Sequence, residues 1–178
     1  MASRCGTSES RICRVEHARL ARLSVAAISH HAAAVGLKPS VKLYPLGRRL
    51  LDGPQLELLK RLHARIHRAW KWETEVPIPL PGDLRSADCR LTLPGCTIVV
   101  EAHTRLSDWQ AQSASAARKK RDLEATRLVL LLAATRANRQ AVAEANPVAS
   151  ASFPIATKAA LAALADGRDP GADAIVFL

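Results

Sequence analysis

The spacing of apolar residues predicts several helices along the chain. Pro54 suits the first turn of a helix, and the face of a helix over 55–69 is apolar at Leu56, Leu59, Leu62 and Ile66. Similar patterns predict helices over 8–20, 25–35, 107–124, 138–145 and 157–165. Each of these helices has an apolar face that must pack against another layer of structure.

Shorter apolar segments between the helices predict strands, over 75–80, 88–93, 97–102, 128–133 and 174–178. Pro94 and Gly95 separate the second segment from the third, which predicts a hairpin. Pro77 and Pro79 have no amide hydrogen and confine the first strand to the edge of a sheet. Because helices and strands alternate, the sequence predicts the α/β class, with a mixed β-sheet flanked by helices.

The two N-terminal helices are expected to form a separate module. Ser24 suits the N-cap of the second helix, and Gly36 suits its C-terminal turn. A strand-like segment over 41–45 then leads out of the module. We therefore place the boundary between Leu37 and Lys42, with one domain over 1–38 and a second over 39–178.

Charge favours a polyanionic partner for the first of these domains. The formal net charge is +10, and the first 49 residues carry nine basic and two acidic side chains. The longest apolar run, 128–134, is too short to cross a bilayer, and the N-terminus lacks the apolar stretch of a signal peptide. Four cysteines occur without CxxC spacing. These features predict a cytoplasmic protein with reduced cysteines and no membrane partner.

Residues 6–16 have the pattern Gly-Thr-Ser-x-Ser-x-Ile-x-x-x-Glu, in which Ser8 or Thr7 suits the N-cap of a helix. This pattern resembles the turn and recognition helix of the Xre/Cro phage-repressor helix-turn-helix family. Met1 stands where the second helix of that family is already under way, so residues 1–38 are expected to be a truncated helix-turn-helix remnant. The resemblance implies a homodimeric regulator that binds DNA in the major groove. The residues expected to contact DNA are Ser8, Glu9, Arg11, Arg14, Arg19 and Arg22.

The remainder of the chain is similar to the C-terminal region of actinobacterial Xre-family regulators. The resemblance rests on Val-Gly-Leu-Lys-Pro-Ser-Val-Lys-Leu-Tyr-Pro over 35–45, Glu-Val-Pro-Ile-Pro-Leu-Pro-Gly-Asp over 75–83 and Val-Glu-Ala-His-Thr-Arg over 100–105. The resemblance supplies a class of protein and not a mechanism. The second domain is expected to serve in dimerisation or ligand sensing, and the protein is expected to need no cofactor. The leading hypothesis is therefore a DNA-binding transcriptional regulator.

The order of predicted elements in the second domain also resembles the αβββαβ core of PD-(D/E)XK nucleases, the restriction-endonuclease-like fold. In that family an Asp on the second strand and a Glu-x-Lys on the third bind Mg²⁺ and activate a water molecule. Here the matching positions are Asp88, Glu101 and His103, so the lysine of the pattern is replaced. The resemblance implies Mg²⁺ at Asp88 and Glu101. A metal-dependent DNA endonuclease, or a catalytically retired relative, is the alternative hypothesis.

The same acidic residues have a structural interpretation. Asp83, Asp88, Glu101 and Asp108 would then form a paired network at one edge of the sheet, with Arg85 and Arg105 as partners. The basic block 118–121 is interpreted either as the solvated end of a helix or as a phosphate contact. The sequence leaves open whether the protein is an enzyme, and the substituted lysine position favours a protein that is not.

Overall fold

The computed structural model describes residues 8–17, 19, 23–39 and 51–178. The chain divides into two compact units, Met1–Tyr44 and Pro45–Leu178. The predicted strand over 41–45 lies outside the described residues. Within the described residues, no helix is long and apolar enough to cross a membrane.

The described residues of the N-terminal unit form two short helices. The first, α1, is Glu9–Glu16, and the second, α2, is Val25–Ala34. The hydroxyl oxygen of Ser24 accepts a hydrogen bond from the amide of Ala27 at 3.2 Å, so Ser24 is the predicted N-cap of α2. Apolar side chains of α2 are exposed, because Val25 and Ile28 retain 55% and 43% of their accessible surface.

Over residues 51–178, the C-terminal unit contains a five-stranded sheet and five helices. In chain order the elements are α3 (Gly53–His63), β1 (Lys71–Pro77), β2 (Ser86–Leu93), β3 (Cys96–His103), α4 (Trp109–Asp122), β4 (Arg127–Leu132), α5 (Arg136–Glu144), α6 (Val148–Ser152), α7 (Thr157–Ala165) and β5 (Ala174–Phe177). The predicted α/β class, with a mixed sheet flanked by helices, is confirmed. The short helix α6 is an addition that the sequence pattern did not predict.

The strands lie in the order β1-β2-β3-β4-β5. β1, β2 and β3 are antiparallel, whereas β3, β4 and β5 are parallel. The predicted hairpin joins β2 to β3, and Gly95 adopts a positive φ of 77° in its turn, a conformation that glycine accepts without strain. α4 connects the parallel pair β3 and β4, as parallel pairing requires. The carboxyl ends of β3 and β4 consequently share one edge of the sheet.

Helices cover both faces of the sheet, and each face has its own apolar core. On one face, side chains of α3 and α7, such as Leu62 and Leu164, pack against residues of the sheet that include Leu91 and Leu131. On the other face, Ala116 of α4 and Ala149 of α6 belong to the second core. Burial of both faces explains why β4 has a continuous apolar sequence, Leu-Val-Leu-Leu-Leu, after its first residue, Arg127.

Three predicted elements have an end that differs from the observed one by four residues or more, and the first is the helix expected over 8–20, which ends at Glu16. The helix expected over 55–69 ends at His63, since the amide of His67 and the indole N–H of Trp70 both donate to the carbonyl of Leu164, at 2.9 and 3.0 Å. The strand expected over 75–80 begins at Lys71 and ends at Pro77. Its position at the edge of the sheet agrees with the prediction from its prolines.

Candidate functional site

The β2–β3 hairpin brings Asp88 and Glu101 together. The amide of Asp88 donates to Oε1 of Glu101 at 3.2 Å, and the amide of Ala102 donates to Oδ2 of Asp88 at 2.8 Å. The paired residues of the two strands run from Leu93 opposite Cys96 to Cys89 opposite Val100. Beyond Cys89 and Val100, the carboxylates of Glu101 and Asp88 accept hydrogen bonds from backbone amides. In a regular pair of strands, backbone carbonyls would accept these bonds. The predicted proximity of these two carboxylates is thus present.

Lys119 is the counter-ion of Glu101. It lies on α4, and its Nζ donates to Oε2 of Glu101 at 2.5 Å. Only 8% of the lysine side chain and 5% of the glutamate side chain are exposed. Burial of two charges is costly unless they are paired and hydrogen-bonded, and both oxygens of Glu101 accept a hydrogen bond. The pair therefore anchors α4 to β3.

The solvated-helix interpretation of the block 118–121 was wrong for Lys119. Lys119 lies three residues after the buried Ala116 and four before the half-buried Leu123, which places it on the inward stripe of α4. That spacing was the signal available in the sequence. The sequence alone did not separate Lys119 from the other basic residues of the block, of which Arg118 and Arg121 are exposed.

The paired network expected around the carboxylates is present in part, because Arg85 pairs with Asp83 whereas Lys119 pairs with Glu101. Arg85 donates to Asp83 and to Asp122, with its closest contacts at 2.6 and 2.7 Å, and these contacts hold the pKa of both carboxyls below the usual range. Arg105 is exposed. Asp108 accepts a hydrogen bond from the amide of Ala111 and caps α4. Because Arg85 is engaged elsewhere, an amine rather than a guanidinium neutralises Glu101.

The environment of Glu101 favours its neutral form. Burial raises the pKa of its carboxyl, the nearby Asp88 carboxylate raises it further, and the Lys119 charge opposes both, so that the pKa is raised to about 7. The charge of Glu101 therefore changes near neutral pH.

His103 lies two residues beyond Glu101, on the same face of β3. Its Nδ1 is 3.2 Å from Nε2 of Gln112, a residue of α4. The side-chain oxygen of Gln112 accepts hydrogen bonds from the amides of Ser107 and Asp108. Gln112 therefore fixes the loop before α4 and the imidazole together, and His103 is oriented by this helix.

Gln55 is a further member of the site that the sequence did not indicate. Its Nε2 donates to the carbonyl of Ala102 at 2.8 Å, and its Oε1 accepts from the amide of Asp52 in a capping box at the start of α3. The side chain is 8% exposed. Gln55 thus links α3 to β3 beside the two carboxylates. The two bonded residues are 47 positions apart in the sequence, so no local pattern could predict this contact.

At the predicted pair, a divalent cation would compete with Lys119 for Glu101. Among the described residues, no group of three or more histidine, cysteine, aspartate or glutamate side chains is arranged to hold a metal ion. Lys119 binds one oxygen of Glu101 and a backbone amide binds the other. A cation would have to displace the ammonium group that already neutralises this carboxylate. The Mg²⁺ site at Asp88 and Glu101 therefore stays a prediction.

The residues expected to contact DNA lie on or near α1. Ser8 precedes the helix and its carbonyl accepts from the amide of Ile12 at 3.2 Å. Glu9, Arg14 and Arg19 are exposed, whereas Ile12 is 7% exposed. Arg11 belongs to α1, but its side chain lies outside the description, and Arg22 lies outside the described residues. The helix therefore exposes a polar and basic surface and buries an apolar one.

Comparison with known proteins finds no matching family model, no matching curated protein and no matching solved structure. The functional argument therefore depends on the residues of this chain alone.

Proposed function

We propose that this protein is a DNA-binding transcriptional regulator, whose C-terminal α/β unit serves in dimerisation or ligand sensing. The surface of α1 carries the proposal. Glu9, Arg14 and the preceding Ser8 are exposed, while Ile12 is buried. A helix that lies on the surface and presents short polar and arginine side chains suits the major groove, where such groups bind base edges and phosphates. The formal net charge of +10 favours the same partner.

The closed state of the Glu101–Lys119 pair supports a non-catalytic role for the α/β unit. A hydrolytic metal site needs open coordination positions and a reachable water molecule. Here both oxygens of Glu101 are engaged and its side chain is 5% exposed. His103, at the position of the expected lysine, is held by Gln112.

Self-association is part of this proposal, because helix-turn-helix proteins bind two half-sites as dimers. Exposed apolar side chains of α2, such as Val25 and Ile28, support it, since exposed apolar patches commonly mark protein interfaces. Sedimentation velocity of the full chain tests it. Ile28→Glu is expected to shift the protein towards the monomer, and Lys60→Glu, at an exposed position of α3, is the control. A monomeric wild type contradicts the homodimer.

The experiment that tests DNA binding is fluorescence anisotropy of a labelled duplex at several salt concentrations. The logarithm of the binding constant should fall linearly with the logarithm of salt, and loss of one phosphate contact should reduce the slope by about 0.9. Arg14→Ala and Arg19→Ala are expected to reduce it. Arg168→Ala, an exposed arginine that pairs with Asp166 in the other unit, is the matched control and should leave the slope unchanged. Absence of binding at low salt would refute the proposal.

A metal-dependent nuclease is the second candidate, favoured by the meeting of Asp88, Glu101 and Lys119. The order α3-β1-β2-β3-α4-β4 resembles the PD-(D/E)XK core, in which two carboxylates and a lysine gather at one end of the sheet. Here the lysine comes from α4 instead of β3.

An end-labelled duplex incubated with the protein and Mn²⁺, then analysed on a denaturing gel, separates the candidates. Glu101→Gln is the informative variant, because the amide oxygen still accepts from the Asp88 amide. Cleavage by the wild type and none by the variant would make the protein a nuclease. No cleavage by either, together with salt-dependent binding, agrees with the regulator.

A further inference from the structure

A cleft of about 510 Å³ lies where α5, α6 and α7 meet β5. This volume is within the range of sites for small molecules, about 300–1,000 Å³. Its apolar lining includes Val142, Phe153, Ile155 and Phe177. It is separate from the Asp88–Glu101 site, none of whose residues line it.

Two cationic side chains border this apolar cleft, Arg139 of α5 and Lys158 of α7. Both are exposed, and neither forms an ion pair with a described residue. Among the described residues that line the cleft, none is acidic. The cleft thus combines an apolar interior with two cations that have no carboxylate partner among the described residues.

Internal contacts hold the wall of the cleft in place. The guanidinium carbon of Arg139 lies 4.6 Å from the ring centroid of Phe177, so the ring orients the arginine beside the cleft. The hydroxyl of Thr157 donates to the carbonyl of Ile175 at 3.0 Å and accepts from the amide of Phe177 at 3.2 Å. These bonds join the start of α7, where Lys158 lies, to β5. The two cations are therefore carried by elements that are fixed to each other.

We propose that this cleft binds a small organic anion, a carboxylate attached to an aromatic body of one or two rings, as the effector of the protein. The inference rests on the proposed function, in which the α/β unit senses a ligand. The apolar lining would bury the ring system, and Arg139 and Lys158 would neutralise the carboxylate. A cation of the same shape would meet two like charges and no acidic group.

Methyl NMR of the full chain, titrated with 2-naphthoate in the absence of DNA, tests this proposal. Saturable shifts of the Val142 and Ile155 methyl signals are expected. The charge-reversed probe 2-naphthylmethylammonium should bind at least about tenfold more weakly, since two cations repel it. Arg139→Gln and Lys158→Gln should each weaken 2-naphthoate binding by about fivefold, the effect of one exposed ion pair.

Two variants serve as controls. Arg136→Gln removes an exposed arginine of α5 that does not line the cleft, and it should bind 2-naphthoate like the wild type. Ala143→Trp places an indole at the exposed wall of the cleft and should abolish the shifts while the rest of the spectrum stays folded. Absence of saturable shifts, equal binding of the two probes, or unchanged binding by the Arg139→Gln/Lys158→Gln variant would each overturn the proposal. If the wild type shows the methyl shifts with 2-naphthoate but does not bind DNA in the anisotropy experiment, the regulator function is contradicted and the ligand site is not.

Discussion

Replacement of Lys119 by methionine should destabilise the protein in a way that depends on pH. Methionine keeps most of the lysine volume in the buried position but removes the charge that Glu101 needs. Without this charge, burial and the Asp88 carboxylate raise the pKa of Glu101 further, and the carboxyl stays neutral at alkaline pH. The cost of holding it neutral then grows as the pH rises.

The stability of the wild-type protein also depends on pH through Glu101, and the variant is compared with it. The folded pKa of Glu101, about 7, is above its ordinary value of 4.5, so the folded state binds more protons than the unfolded state between these values. The associated stability is fully present below about pH 4.5 and is lost as the pH rises to about 7. The total loss is about 3 kcal/mol, from 1.36 kcal/mol for each pKa unit.

In Lys119→Met, neutral Glu101 costs about 5 kcal/mol near pH 8.5, because the pH is then about four units above the ordinary pKa. At the same pH, Glu101 has lowered the free energy of unfolding of the wild type by about 3 kcal/mol. The variant is therefore expected to be about 2 kcal/mol less stable than the wild type. Near pH 5.5, Glu101 is protonated in both proteins, and the difference should fall below about 0.5 kcal/mol.

Urea unfolding followed by circular dichroism at the two pH values measures this difference, provided that the urea dependence of the unfolding free energy is unchanged. Lys60→Met is the matched control, because Lys60 pairs with Glu57 while 63% of its side chain is exposed. It should change stability by less than about 0.5 kcal/mol at either pH. In a Glu101→Gln background, Lys119→Met should lose its pH dependence. A loss of stability that is equal at the two pH values would refute the reasoning.

Three further substitutions test other contacts, each read by urea unfolding. Asn138→Ala should cost about 3 kcal/mol, because its buried side chain binds the amide of Leu106 and the carbonyls of Thr104 and Ala133; a loss below about 1 kcal/mol contradicts this. Gln55→Leu should cost about 1–3 kcal/mol by leaving the buried Ala102 carbonyl without its partner, and an unchanged stability would contradict that role. Leu131→Ala should cost about 2–5 kcal/mol, since the side chain is fully buried in the sheet core, whereas exposed Leu84→Ala should cost little.

Most secondary structure could be predicted because its signal is local. The period of apolar residues predicted β2, β3, β4 and β5 to within two residues at each end, but it placed the start of β1 four residues too late. The helix expected over 157–165 has the observed bounds, Thr157–Ala165. The hairpin followed from the Pro94–Gly95 turn. Since a hairpin opposes residues at fixed register, the meeting of Asp88 and Glu101 followed as well.

Local patterns could not predict the contacts between elements that are distant in the sequence. Lys119 reaches Glu101 across 18 positions, from a helix to a strand, and its role depends on how α4 is rotated against the sheet. The end of α3 was misplaced because hydrogen bonds to Leu164 turn the chain before Trp70.

The sequence by itself determined the α/β class, the strands and the carboxylates that face each other across the hairpin. The tertiary structure alone decided which cation neutralises Glu101, and that the pair is buried and closed. It also decided that Arg139 and Lys158 flank one apolar cleft. The physical reason is that helix and strand periodicity arises between near neighbours, whereas burial, ion pairing and cavity shape are set by packing between whole elements.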